Sequence, residues 1–288
     1  MSASATTLAL LCMCAAGVLD LVFKLYAAQP RSRGMLVFGS GIVWFSLQFG
    51  SMQWGDAAIA LDRATLLYGL VAAVFVTVSN ILLIECMGHL PISMASTIYR
   101  LNTVPLVILA FFFLGESIDL LRGAGIAFGL ITVLLLYKPN DGRVESTQRY
   151  SVFVGLIILA SLIRALYGAT TKAGVNLGGD PDTMMLFAAI GWIVGGIAYA
   201  HWRGRSVFIT KAKLKFIVVA GLLVFSVVWL LTTALTLGDA SVVVPLANMG
   251  FVAAFALSLL LGLESLDVKK FAAIVCAVFA ILMLSVSS

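Results

Sequence analysis

Charge is what this sequence has least of. Only 11% of its 288 residues are Asp, Glu, Lys or Arg, while 62% are hydrophobic. A soluble globular domain carries roughly a quarter charged residues. So little polar material cannot cover a surface in water, which excludes a water-soluble globule. Histidine is almost missing: His89 and His201 stand at predicted helix ends in different halves of the chain. The four cysteines, Cys12, Cys14, Cys86 and Cys276, lie within apolar runs with no CxxC spacing. Buried apolar thiols are expected, with no disulfide and no metal site. There is no HExxH, no GxSxG, no phosphate-cradling glycine loop and no GxGxxG before a strand. The sequence therefore predicts no cofactor, no enzyme activity and no ATP-driven transport by this chain alone. Acids are scarcer than bases, 13 against 18, for a net charge of +5. The bases sit between apolar segments and form no continuous stripe, so no nucleic-acid partner is expected. The charge bias of membrane loops accounts for them.

What the chain does have is long apolar runs. In lipid, only helices or closed barrels satisfy the backbone. A barrel would show runs of about ten residues with two-residue alternation. These runs are longer and uninterrupted, so they predict helices of about 20 residues. The spans lie near 5–27, 34–54, 65–86, 92–114, 120–137, 150–173, 183–202, 214–236, 240–262 and 268–286. No Lys or Arg precedes Leu8, so residues 6–28 read as a first span and not as a signal peptide. Gln29-Pro30-Arg31, Lys138-Pro139-Asn140-Asp141-Gly142 and Gly178-Gly179-Asp180-Pro181 punctuate the runs as stops and turns.

The chain repeats itself. An offset of 148 residues, the separation of Lys24 from Lys172, places Trp44 on Trp192 and Ser93 on Ser241. It also places Glu116-Ser117-Ile118-Asp119 on Glu264-Ser265-Leu266-Asp267, with no gap from the first helix to the last. The predicted fold is an all-α polytopic membrane protein of about ten transmembrane helices in two five-helix repeats. Residues 1–137 form the first repeat, 138–149 a cytoplasmic linker and 150–288 the second. An odd number of helices per repeat inverts the second half, as in many secondary transporters. Arg31, Arg33, Lys138, Arg143, Arg149, Arg203, Arg205, Lys211, Lys213, Lys215, Lys269 and Lys270 all follow odd-numbered helices. Those loops are expected in the cytoplasm, with both termini on the non-cytoplasmic side of the cell (inner) membrane.

Two related stretches carry a likeness to a known family. The first runs from Ser93-Met94-Ala95-Ser96 through Pro105 to Phe113-Leu114-Gly115-Glu116, and the second from Ala240-Ser241-Val242-Val243-Val244-Pro245 through Leu260-Leu261-Gly262-Leu263-Glu264. The chain resembles the EamA-type transporters of the drug/metabolite transporter superfamily. The second half departs from the pattern with Ala253 at the position of Pro105, and Leu263 splits its Gly-Glu. The resemblance implies about ten helices around a central cavity that moves small metabolites, amino acids or drugs.

An ionisable group within the bilayer costs roughly 2.5–3.5 kcal/mol on insertion scales, so each such group needs a reason. Arg100 lies near the middle of the fourth span, with Ser96, Tyr99 and Thr103 on its face. The repeat sets Asn248 at the matching depth. Arg164 is central in the sixth span beside Tyr167, Gly168 and Thr171. Either Arg is suited to hold a carboxylate or phosphate, or to pair with a carboxylate of the bundle. Lys172, repeat mate of Lys24, falls on the outer side against the charge bias. The predicted substrate site is thus Arg100, Arg164, Asn248, Tyr99, Tyr167 and Lys172. Asp20 is a candidate proton carrier, or else a partner of Lys24 four residues on. Glu85 reads as interfacial. Asn80, Asn102 and Trp229 are weaker candidates for the lining. Glu116 and Glu264 read as caps of the helices that follow them. Pro105 and Pro245 could bend their helices, and Gly125-x3-Gly129 and Gly191-x3-Gly195 fit close helix contacts.

The function expected is a secondary transporter, with export as the favoured direction. It would move a small organic anion or zwitterion, amino-acid-like, by alternating access. The alternatives are a lipid or lipid-linked-sugar flippase, an intramembrane enzyme and a partner subunit. The partners expected are a small-molecule substrate and the bilayer. A monomer suffices to build the site, and a homodimer is compatible with it.

Overall fold

The computed structural model describes residues 3–55, 57–105, 120–136, 147–203, 208, 210–237 and 246–286. Among these, the chain is helical throughout, without strands. The helices are α1 (Ala3–Ala27), α2 (Arg33–Trp54), α3 (Arg63–Met87), α4 (Ile92–Arg100) and α5 (Leu120–Leu136), then α6 (Thr147–Asn176), α7 (Pro181–Trp202), α8 (Lys211–Leu237), α9 (Gly250–Leu260) and α10 (Val268–Val286). Six of them, α1, α2, α3, α6, α7 and α8, are long and apolar enough to cross a membrane. The protein is a polytopic membrane protein.

Local signals set the helix starts. Ser32 caps α2 by accepting from Met35 N, and Asp180 caps α7 by accepting from Thr183 N at 2.7 Å. Asp62 caps α3 through Thr65 N at 2.9 Å, and Thr210 accepts from Lys213 N at the start of α8. Each cap satisfies an amide that the first turn leaves free. The caps fall in mates at the repeat offset, Ser32 with Asp180 and Asp62 with Thr210. Hydrogen bonds from Thr65 also hold the Asp62 carboxyl below its ordinary range.

The fourth and ninth spans differ from the expected continuous helices. α4 ends at Arg100, turns at residues 101–102 and resumes at 103. The helix at 246–248 likewise turns at Met249 before α9 begins. Leu101 has φ −73° and ψ 13°, and its repeat mate Met249 has φ −75° and ψ 12°. Val104 N bonds Leu101 O at 3.0 Å, and its mate Val252 N bonds Met249 O at 2.9 Å. Both are tight one-turn contacts in place of the normal ladder. In α4 the cause is Pro105, which lacks an N–H and whose ring crowds the carbonyl four residues earlier, that of Leu101. The second half has Ala253 there, and Gly250 instead weakens the ladder at the same point. Pro245 and residues 106–119 lie outside the described residues.

Packing pairs the halves. α2 crosses α7, α5 lies on α10, α4 on α9, and α3 packs on both α6 and α7 as α8 packs on both α1 and α2. These main pairs are unchanged when α1–α5 are exchanged for α6–α10. Trp44 and its mate Trp192 meet edge to face at 5.6 Å where α2 and α7 cross. Small residues let the two helices approach: Gly34 lies against the backbone of Gly196 and Ala200, and Gly196 against that of Phe38. Gly191 and Gly195 face Ala73 and Thr77 of α3, which bears out the close contact expected of that pair. Gly178 closes the α6–α7 turn at φ +86°, a conformation that favours glycine.

The exchange fails for some of the weaker contacts. α1, α3 and α4 touch one another, whereas their mates α6, α8 and α9 make little contact with one another among the described residues. Over their most apolar stretches, 44% of α1 residues are buried against 28% in α6, and 50% in α3 against 22% in α8. The loosely packed gap between α6, α8 and α9 is where the candidate site is placed.

A Gly196→Ala variant is expected to lose about 1–3 kcal/mol, because its Cβ would overlap the α2 backbone. Gly155→Ala has open space around it and should be neutral or gain up to about 1 kcal/mol from helix propensity. Thermal unfolding in detergent separates the two, and equal melting points would contradict the close crossing.

Candidate functional site

Asp20 is 1% exposed in the middle of the bundle. Its carboxylate accepts from Ser96 Oγ and from Arg100 Nη2, the latter at 3.3 Å. Both partners are on α4, so the acid ties α1 to the broken helix. Lys24, the expected alternative partner, does not reach it. Its ammonium donates to Met87 O at 2.9 Å and Leu90 O at 2.6 Å, at the C-terminal end of α3. A cation there neutralises carbonyls that the last turn leaves unpaired. The Asp20–Lys24 pairing is therefore corrected: proximity in sequence loses to a better electrostatic partner across the bundle.

Arg164 has a different environment. Its guanidinium sits over the Tyr167 ring at 4.6 Å, and it has no carboxylate partner among the described residues. The inward stripe of α6 is buried at Val154, Ile157 and Ser161, but half-exposed where it continues through Arg164, Gly168 and Thr171. Nothing stands within 4 Å of a Cβ built on Gly168. On α8 the same change occurs between buried Val224 and half-buried Val228 and Leu231, with Trp229 half exposed. Burial thus falls along both helices over the same later turns, although Ala234 still packs on Ala5 and Ala9 of α1 and Gly174 on Tyr68 of α3, and Arg164 has no counter-ion among the described residues.

The remaining predicted residues fall around these two centres. Tyr99 is 4% exposed, with its hydroxyl 3.4 Å from Ser79 Oγ, so it is packed between α3 and α4. Asn248 is half-buried at the break before α9, the mate of Arg100 at the break after α4. Asn102 Nδ2 donates to Tyr99 O at 3.0 Å across the α4 break. Lys172 lies in α6, and its side chain is outside the described structure. Asn80 is buried and bonds back to Val76 O at 2.8 Å within α3. Of the cysteines, Cys12 and Cys86 are buried as expected, whereas Cys14 is exposed on the outer side of α1.

One carboxylate behaves differently from expectation. Glu264 reaches across to α4 instead of capping α10: Ser93 N donates to it at 2.9 Å, Ser93 Oγ at 2.5 Å and Lys270 at 2.8 Å. Pro91, at the N-cap position of α4, has no side chain for the task, so Glu264 supplies the cap in trans. Glu116 lies outside the described residues. Glu85, near the end of α3, is 7% exposed, gripped by Arg33 from α2 and by Arg203 from the end of α7. Sequence reasoning missed Ser93 and Arg203 as partners. The only signal was negative, a helix start with Pro91 and no capping side chain.

Residues 152–286 match the model of the EamA-like transporter family. The likeness to that family lies in the second half of the chain. The EamA-like match covers α6 from its first turns through α10, including Arg164, Asn248 and the α9 break. A solved crystal structure of a protein superposes on 98% of this chain and 96% of its own length, with a TM-score of 0.70 and 13% identity. At that identity the likeness is one of fold. No curated protein matches the chain.

The buried Asp20–Arg100 pair predicts a strong asymmetry between single and double variants. Asp20→Asn or Arg100→Met alone should each cost about 3–5 kcal/mol, because each strands a buried charge or donor. The double variant should cost clearly less than the sum. Thermal unfolding of the three proteins measures this, and additive losses would show that the two groups do not interact.

Proposed function

We propose that the protein is a secondary transporter that moves a small organic anion or zwitterion by alternating access. The observation that carries this reading is Arg164: a cation in mid-span, without a carboxylate among the described residues, on a half-exposed stretch of α6. An uncompensated charge there is costly unless a ligand supplies the opposite sign. Tyr167 would hold the guanidinium in place, and Asn248 would orient the substrate's neutral polar groups. Lys172 would add positive charge toward the mouth of the site. Tyr99 and Arg100 would act from behind, with Arg100 available only when Asp20 releases it.

Asp20 and Arg100 also suggest the coupling. A proton on Asp20 would neutralise the acid and free Arg100 for an anion. Proton and anion would then strengthen each other's binding by linkage. They would travel in the same direction, and the prevailing gradient would decide between uptake and export.

The two halves are proposed to be inverted repeats, with residues 1–137 and 150–288 joined by 138–149. The matched caps, the matched breaks and the Trp44–Trp192 contact support it. The face bearing the α1–α2, α3–α4, α7–α8 and α9–α10 connections is held shut by Lys24, Glu264 and Glu85. Its basic loops favour the cytoplasm under the positive-inside bias, which would put both termini outside. The gap between α6, α8 and α9 opens toward the other face. The conformation would then be outward-open.

The test is thermal stabilisation of the purified protein by a library of carboxylate- and phosphate-bearing metabolites, since a ligand of the folded state raises stability by mass action. A stabilising anion is expected, with its effect lost in Arg164→Gln. Its uptake into proteoliposomes should rise with an inward proton gradient in the native protein and become indifferent to it in Asp20→Asn. Stabilisation only by neutral or cationic compounds, unchanged in Arg164→Gln, would overturn the reading. A response to lipids alone that depends on Arg164 would make the cargo a lipid.

A further inference from the structure

A second excess of positive charge lies far from the central gap, on the face that is closed. A narrow cleft there is lined by Arg31, Arg33, Glu85, Tyr199 and Arg203, where the start of α2 meets the ends of α3 and α7. Three guanidinium groups face one carboxylate. Glu85 accepts from Arg33 through one oxygen and from Arg203 through the other, the latter at 2.5 Å. Among the described residues, that single acid leaves two positive charges uncompensated. Arg31 has no carboxylate partner among them and is held by the Tyr26 and Phe216 rings, 5.5 and 4.9 Å from its guanidinium carbon. Its buried Nη1 and the buried Nε of Arg33 have no acceptor among the described residues. Buried donors of this kind cost stability unless an acceptor arrives.

The surroundings indicate what arrives. Trp202 is 79% exposed beside the cleft, with its ring 5.9 Å from that of Tyr199. Exposed tryptophan next to tyrosine at the end of a spanning helix marks the headgroup level of a bilayer. The enclosed part of the cleft admits little more than one oxygen-sized group, and the rest is open. A single anionic oxygen can enter while its parent group stays outside. Forked donors at fixed angles suit a phosphate, whose oxygens can be bridged in pairs.

We propose that this cleft is a binding site for a phosphate group, independent of the central site, and that an anionic phospholipid headgroup fills it. The phosphate would complete the donor set of Arg31 and Arg33 and offset the charge that Glu85 leaves over. Bound there, it would brace the meeting point of α2, α3 and α7 on the closed face.

The experiment is thermal unfolding of the full-length protein in neutral detergent, titrated with phosphatidylglycerol, phosphatidylcholine or inorganic phosphate. Phosphatidylglycerol is expected to raise the melting temperature, and phosphatidylcholine much less. Arg31→Gln breaks no ion pair and should bind phosphatidylglycerol about tenfold more weakly or worse, the loss of a hydrogen bond to a charged group. Arg31→Lys keeps the charge without the fork and should lose most of the same affinity, which decides the matter should Arg31→Gln not fold. Lys215→Gln, an exposed cation on the same face outside the cleft, should leave the response intact. Survival of the response in Arg164→Gln would separate it from the central site. Equal stabilisation by inorganic phosphate would uphold the site and make the free anion its ligand. An unchanged response in both Arg31 variants, or an equal loss in Lys215→Gln, would overturn the proposal.

Discussion

Among the described residues, three carboxylates with buried side chains tie distant helices together, and the scarcity of such groups shapes everything else. Asp20 joins α1 to α4, Glu85 joins α3 to α2 and α7, and Glu264 joins the α9–α10 connection to α4. Each is paired with cations or helix amides, as a charge in a low-dielectric interior must be. Each also binds elements that lie far apart in the chain. With 18 basic residues and 13 acidic ones, some cations must go without a partner. Most lie at or near helix ends, where water or headgroups answer them. Arg164 stands in mid-span and Arg31 in the α1–α2 connection between two aromatic rings, and both sites argued above are places where positive charge is left over among the described residues.

Much of this was legible in the sequence because the repeat is legible. The offset of 148 that aligns Lys24 with Lys172 also aligns Trp44 with Trp192, and the structure brings those rings together. Pro105 foretold an interruption, and the break falls four residues before it, as ring geometry requires. A bend in the ninth span was expected from Pro245, but the break at Met249 lies four residues after that proline, and Ala253 carries no signal for its position. Charge partners were less legible still. Lys24 could be paired by helical spacing with Asp20, yet its better acceptors are carbonyls more than sixty residues away. Glu264 and Ser93 are separated by 171 residues. In a chain that is 62% hydrophobic, helices have apolar residues all round. Periodicity then cannot say which face meets which neighbour, and partners set by helix crossings stay hidden.

The unequal burial of equivalent helices carries the last step. α1 and α6 occupy matching places, as do α3 and α8, yet the first of each pair is closely packed and the second is not. Leu83 is buried in α3, while its mate Leu231 is half-exposed in α8. Sequence alone does not demand this, since both are leucines in apolar helices. On the proposed repeat, one structural unit would thus be present in two conformations within a single molecule. On the proposed inverted arrangement, exchanging the two would close the gap at α6, α8 and α9 and open the face that Lys24 and Glu264 now hold. The contacts to be broken would be of two kinds. Phe23, Met87, Leu90 and Ile92 pack together on that face, and Lys24, Glu264 and Glu85 bind helix ends and cations around them. Apolar area given up there could be recovered by closing the other side, whereas the helix-end interactions, about 0.5–2 kcal/mol each, belong to this conformation alone. On the proposed exchange, the polar groups would set which of the two conformations is the majority.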